Sequence, residues 1–340
     1  MSGSCCARYN DNIYIFGGYI GNNINTIYKF NCTNKTITKL SITLPQILGS
    51  MCCAIHSDNI YIFGGYSGDN IVNTIYKFNC TNETIETLST ILPQKLAYFC
   101  CSAYNDNIYI FGGTDGTNYS NVILKFNCVT ETISTLYTTL PNGICRMCCV
   151  THHDNIYIFG GFGTYYEKTI LKFNCINETI KTLDNGLPTV LYGSTCSIYN
   201  DDVYIFGGKD NSSALNKIYK FNCVNETIST LSIVLTQSLY YACCSIYESN
   251  IYLFGGNNGS SRVNTIYNFS VSFELTANNV LILNANSNYS FDLITDQVTI
   301  PIKNIYIGNS NNTAQLANAY LYDETKTAWV NVNTGEVLTL

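Results

Sequence analysis

The chain has 340 residues, more than the roughly 250–300 at which one hydrophobic core stops growing, so it must divide into domains or close up from repeats. A composition that is 46% hydrophobic, with 28 Tyr, 16 Phe and only 12% charged residues, excludes intrinsic disorder. A net charge of −6 with scattered basic residues argues against nucleic acid or an anionic membrane surface, and no apolar run approaches the ~20 residues that span a bilayer.

The opening residues lack the apolar core of a secretory signal, so the expectation is a soluble, cytoplasmic protein. Seventeen cysteines in a long chain without such a signal read as free thiols, used as small buried hydrophobes in a reducing compartment.

In chain order, the first elements set a pattern that recurs. A short strand carrying Cys5 and Cys6 leads through Asn10 and Asp11 into an aromatic and β-branched run, Asn12 to Phe16, which ends at Gly17 and Gly18. A variable segment follows, then a strand ending at Phe30, a polar turn and an outer strand. The glycine doublet returns at Gly64-Gly65, Gly112-Gly113, Gly160-Gly161, Gly207-Gly208 and Gly255-Gly256, at spacings of 47 or 48 residues. The runs before it are apolar on both faces, as expected of strands held between neighbouring sheets. Four short strands per unit with no helical periodicity predict one blade of a β-propeller, and six copies predict six blades. The doublet suits a chain turn between crowded blades, because a residue without Cβ takes positive φ and leaves space.

These residues resemble the kelch repeat family. The shared pattern is the hydrophobic run, the tyrosine three residues before the doublet (Tyr14, Tyr61, Tyr109, Tyr157, Tyr204, Tyr252) and the downstream aromatic at Phe30 and its equivalents. Where kelch repeats usually carry Trp, this chain has Ile37, Ile85, Ile133, Ile180, Ile228 and Thr276, and a β-branched residue is expected to fill the same inter-blade space. The resemblance implies an all-β, six-bladed kelch-like β-propeller over residues 1–283, with repeats near 4–50, 51–98, 99–146, 147–193, 194–241 and 242–283. Residues 270–283 are expected to supply the last outer strand. Residues 284–340 are left as a small C-terminal β module.

Tracking the chain through each blade places the segments after the doublets and those before the cysteine strands on one face, where the copies differ most. The candidate ligand-binding residues there are Tyr66, Tyr98, Phe99, Asp115, Tyr119, Arg146, Tyr165, Tyr166, Tyr192, Tyr240, Tyr241 and Arg262. Fourteen residues before each doublet, a register that supplies ligand-contacting arginines in some kelch propellers, stand Gly3, Ser50, Tyr98, Arg146, Gly193 and Tyr241. Tyrosines on rigid loops suit stacking on sugar rings or packing on a protein, although in so Tyr-rich a chain some must be exposed in any case.

Adjacent cysteines on a strand point to opposite faces, so a pair cannot easily chelate one ion, and narrow inner strands demand small side chains in any case. Cys32, Cys80, Cys128, Cys175 and Cys223 recur one per blade at the outer turn, and Cys145, beside Arg146, falls outside the repeat. His56, His152 and His153 align to the opposite face and read as surface residues. No catalytic residue, metal site or cofactor is therefore assigned. Asn-x-Thr triplets such as Asn82 to Thr84 read as turns.

Beyond Ser270 a shorter repeat appears: Tyr306 with Ala314, then Tyr320 with Ala328, ending at Trp329 and Val330. It resembles small repeats at the ends of phage and prophage tail-associated proteins, and predicts two hairpin-like units. The expectation is a non-enzymatic binding protein, either a phage-derived, virion-associated accessory recognising a host-surface glycan or protein, or a cytoplasmic adaptor binding a protein partner. A propeller enzyme is the third class. In the first reading the C-terminal module attaches to a larger assembly.

Overall fold

The computed structural model describes residues 1–271 and, beyond them, the strands Phe291–Thr295, Val298–Ile302, Tyr320–Asp323, Ala328–Asn331 and Val337–Leu338. The chain divides into two units, Met1–Ser270 and Val271–Leu340.

The first unit is a six-bladed β-propeller of antiparallel sheets. Its blades begin at the inner strands Cys5–Tyr9, Cys52–His56, Cys100–Tyr104, Cys148–His152, Thr195–Tyr199 and Cys243–Tyr247. Each inner strand pairs with the glycine-ended run, for example Asn107–Phe111, which pairs with a third strand, here Val122–Asn127, and that with an outer one, Thr132–Thr139. In the sixth blade three strands are described, ending at Ile266–Ser270, and the segment expected to supply its outer strand lies almost wholly outside the described residues.

The second strands are buried along nearly their whole length, which is why they lack polar alternation. Packing between blades repeats one motif: the phenylalanine of a third strand rests on the tyrosine and phenylalanine of the preceding blade's second strand. Phe78 lies 4.9 Å from Tyr14 and 5.3 Å from Phe16, and Phe173 lies 5.0 Å from Tyr109 and 5.4 Å from Phe111. The ring closes with the same contact, since Phe30 of the first blade lies 5.0 Å from Tyr252 and 5.4 Å from Phe254 of the sixth. Closure therefore runs through the aromatic core as well as through Met1, whose carbonyl accepts from the Gly256 N–H and whose ammonium donates to the Val263 carbonyl.

The tyrosine hydroxyls add directed bonds across the blade junctions. Tyr61 donates to the Cys128 carbonyl at 3.1 Å and Tyr157 to the Cys223 carbonyl at 3.2 Å. Tyr157→Phe leaves that buried carbonyl without its donor, and a loss of about 1.5 kcal/mol is expected in urea unfolding. Tyr137→Phe, on a fully exposed side chain, is expected to change nothing.

The polar outer turns also join blades. Lys29–Glu83, Lys77–Glu131, Lys125–Glu178 and Lys172–Glu226 approach within 2.6–2.7 Å, each lysine reaching the glutamate of the following blade's turn. Within the turns the side-chain oxygen Oδ1 of Asn82 accepts from both the Thr84 amide and hydroxyl, so this triplet is the turn device expected of it. At the positions where kelch repeats usually carry Trp, Ile85, Ile133, Ile180 and Ile228 are half-buried against the cores as expected, but Ile37 is exposed on its outer strand; Thr276 lies outside the described residues.

In the second unit Phe291–Thr295 pairs with Val298–Ile302, and Tyr320–Asp323 pairs with Ala328–Asn331, which in turn pairs with Val337–Leu338. The expected hairpin at Tyr320 is thus present, whereas the one at Tyr306 lies outside the described residues. No helix among the described residues is long and apolar enough to cross a membrane.

Candidate functional site

The two classes of variable loop meet at one mouth of the channel. The segment before each inner strand bridges the segment after a doublet: Gly49 with Tyr66, Ala97 with Thr114, Tyr192 with Lys209, Tyr240 with Asn257. Next to these bridges runs a closed belt of backbone hydrogen bonds. The N–H of Gly3 donates to the Tyr241 carbonyl at 2.9 Å, Ser50 to Gly3 at 2.7 Å, Tyr98 to Ser50 at 3.0 Å, Arg146 to Tyr98 at 2.6 Å, Gly193 to Arg146 at 2.7 Å and Tyr241 to Gly193 at 2.7 Å. Every member has positive φ, between 54° and 66°.

For Ser50, Tyr98, Arg146 and Tyr241 that conformation costs about 1–2 kcal/mol each, and the belt supplies the context that holds it. Gly3 and Gly193 leave gaps in the ring of side chains. A Cβ on Gly193 would lie 2.8 Å from the Tyr241 ring, so the glycine is what lets that ring lie across the mouth.

Arg146 is the centre of the side-chain arrangement. Its guanidinium carbon lies 4.8 Å from the Tyr98 ring, 5.4 Å from Phe162, and 5.9 Å from both Tyr192 and Tyr241. Its Nε is buried without a hydrogen-bond partner, and among the described residues no carboxylate pairs with it. On one side of it the rings run Tyr66, Tyr98, Tyr241, Tyr240, with centroids 4.9–5.8 Å apart. On the other, Tyr166 stacks on Tyr192 at 5.4 Å and Phe162 contacts Tyr119 at 5.4 Å. Burial pushes the Tyr241 hydroxyl well above its ordinary range, so it stays protonated and can donate.

Beside the first run of rings opens a cleft of about 360 Å³, lined by Tyr66, Tyr98, Tyr240, Tyr241, Ser50 and Arg262, among others. Arg262 lies over the Tyr19 ring at 4.2 Å. Two cations therefore flank the Tyr98–Tyr241 pair, one enclosed by rings and one exposed at the rim.

Of the sequence candidates, Tyr66, Tyr98, Tyr119, Arg146, Tyr166, Tyr192, Tyr240, Tyr241 and Arg262 are brought together here. Phe99 is not: it is buried in the core between the second and third blades, where the chain passes from the belt residue Tyr98 into the inner strand at Cys100. Asp115 caps its own loop, accepting from the amides of Thr117 at 2.8 Å and Asn118 at 2.7 Å, and those bonds hold its carboxyl below the usual range. Tyr165 stands in solvent, 77% exposed. Cys145 is buried rather than displayed on the face, and burial pushes its thiol up to about 11. Phe162 and Ser50 belong to the site and were not among the candidates. The belt register marks Ser50; Phe162 carries only the general signal of an aromatic after a doublet.

The histidines lie elsewhere and have a structural use. His56 Nε2 lies 3.0 Å from Asp106 and His152 Nε2 lies 2.9 Å from Asp201, in the register where Tyr9 and Tyr104 donate to Asp58 and Asp154. His152, His153 and Asp201 bring three potential ligand atoms within 4.8 Å, although His152 and Asp201 already face each other.

A family model described as the KLHDC2/KLHL20/DRC7 Kelch-repeats domain matches residues 3–186 and 179–338. Among solved structures, that of YjhT superposes with a TM-score of 0.70 at 17% identity, covering 80% of this chain and 95% of that one, a likeness of fold. No curated protein matches the chain by sequence.

Proposed function

Because this chain belongs to the kelch-repeat family, we propose that it is a non-enzymatic binding module, and that the channel mouth holds an acidic ligand with a planar or apolar face, such as an acidic peptide or an acidic sugar. One observation carries the reading: Arg146 is enclosed by aromatic rings with its Nε unpartnered. A half-buried cation whose buried Nε lacks a hydrogen-bond partner costs free energy in the unliganded protein, and an incoming anion offsets part of that cost. Tyr98, Tyr241 and Tyr66 supply contact area with few rotors to freeze, and Arg262 at the cleft rim adds a second positive charge.

The test is a panel of peptides and glycans, each offered with a free carboxylate and with that group amidated or reduced. Carboxylates are expected to dominate the binders, and Tyr98→Ala and Arg262→Ala to weaken them by about tenfold or more. Equal binding of acidic and neutralised ligands, or binding indifferent to both variants, would overturn the proposal.

A further inference from the structure

Beyond the mouth the channel is lined by the six inner strands and contains a cavity of about 210 Å³ bounded mainly by cysteines. Because adjacent residues on a strand face opposite ways, the two cysteines of each inner strand turn toward different neighbouring blades. One rule then orders the whole channel: the first cysteine of a blade meets the second cysteine of the next. The sulfurs of Cys52 and Cys101 are 3.0 Å apart, with Cys101 donating. The side chains of Cys5 and Cys53, Cys100 and Cys149, Cys148 and Cys196, and Cys243 and Cys6 interact in the same register, and all eight line the cavity. At the junction of the fifth and sixth blades Thr195 takes the first cysteine's place, and its hydroxyl donates to Cys244 Sγ at 3.1 Å.

We propose that these five cross-blade cysteine pairs are a site of oxidative modification, at which a hydroperoxide converts each pair to a disulfide and links the blades covalently around the channel. In the Cys52–Cys101 pair the sulfurs lie 3.0 Å apart and need to close by only about 1 Å to reach the ~2.05 Å of a disulfide. The cavity admits a molecule the size of hydrogen peroxide. In the Cys52–Cys101 pair, the Cys52 thiolate attacks the O–O bond, giving a sulfenic acid and hydroxide, which takes up the proton Cys52 gave. The Cys101 sulfur then attacks the Cys52 sulfur and loses its proton as the sulfenic hydroxyl leaves as water. Two thiols and one peroxide give one disulfide and two waters, the peroxide accepting both electrons. The bond that Cys52, Cys148 and Cys243 each accept from the partner thiol draws them below the ordinary thiol range, which favours the attacking thiolate.

The register predicts a definite map. Ten of the seventeen cysteines pair. Cys145, Cys244 and the outer-turn thiols Cys32, Cys80, Cys128, Cys175 and Cys223 do not. The blades become linked in the order five, four, three, two, one, six, and the junction of five and six stays open.

To test it, the folded, fully reduced full-length chain is treated with hydrogen peroxide, alkylated and mapped by mass spectrometry. The intact mass is expected to fall by two hydrogens per pair before alkylation, with peptides cross-linked in that order and Cys244 still alkylated. Thr195→Cys is expected to add a sixth link, to Cys244. Three outcomes overturn the proposal: sulfinic or sulfonic acids in place of disulfides, links that scramble among the channel and outer thiols, or seventeen alkylated thiols at a peroxide dose that oxidises a free reference thiol. The wild-type map decides the matter even if a variant fails to fold.

Discussion

Gly160→Ala is expected to cost about 3 kcal/mol or more, and Gly68→Ala only about 1 kcal/mol, although the two glycines share nearly the same backbone conformation. Gly160 has φ +58° and Gly68 φ +60°, so an alanine pays the same left-handed penalty at either. They differ in what the new methyl meets. At Gly160 it would lie 2.1 Å from the Leu191 carbonyl oxygen, whereas at Gly68 nothing lies within 4 Å. Nor can that oxygen retreat freely, because it accepts the Gly161 N–H at 2.8 Å, the bond that ties the end of the doublet strand to the loop entering the next blade. Relief of the clash therefore breaks a buried hydrogen bond or shifts the loop that carries the belt. The same carbonyl approach occurs at Gly17, Gly64, Gly112, Gly207 and Gly255, where Leu48, Leu96, Ile144, Leu239 and Met1 supply the oxygen. Denaturant midpoints at unchanged slope measure the effect. Equal costs at Gly160 and Gly68 would show that the doublet is a conformational requirement only, with no steric part.

Arg146→Met should separate binding from stability. The substitution keeps most of the apolar stem that packs among Tyr98, Phe162, Tyr192 and Tyr241 and removes the charge. Losing the cation–π contacts destabilises, while losing a buried, unpartnered Nε stabilises. These are of similar size and opposite sign, so unfolding free energy is expected to stay within about 1 kcal/mol of the wild type. Affinity for a carboxylate-bearing ligand from the panel is expected to fall by about 2 kcal/mol or more, roughly thirtyfold, with little change for its amidated form. Calorimetric titration beside denaturant unfolding gives both numbers. A large loss of stability with unchanged affinity would make Arg146 a structural residue and remove the ground for the proposed site.

Much of the fold was legible because the repeat is made of local rules. A doublet that ends an apolar run, an Asn turn and a small-residue inner strand each act within one blade, and they recur at a constant spacing, so the blade count and strand order could be read directly. The candidate site was legible only in part. Tyr98 and Phe99 look alike in sequence, both aromatic and adjacent, yet one belongs to the mouth and the other to the core, because Tyr98 is held in a left-handed conformation by the belt of hydrogen bonds, which forms only when the ring closes. Asp115 looked like a ligand contact and is a loop cap, since its carboxylate is satisfied by amides two and three residues on. Ser50 carried no chemical signal beyond its register in the belt.

The amino-acid sequence by itself determined a ring of six kelch-like blades and the face on which the copies diverge, because periodicity and turn chemistry are short-range. Only the tertiary structure decided which side chains meet across the junctions: Phe30 on Tyr252 and Phe254, the rings around Arg146, and Cys52 against Cys101. Those partners lie tens to hundreds of residues apart, and their meeting depends on the angle at which each blade packs on the next and on the closure of the ring. No local pattern in the chain carries either.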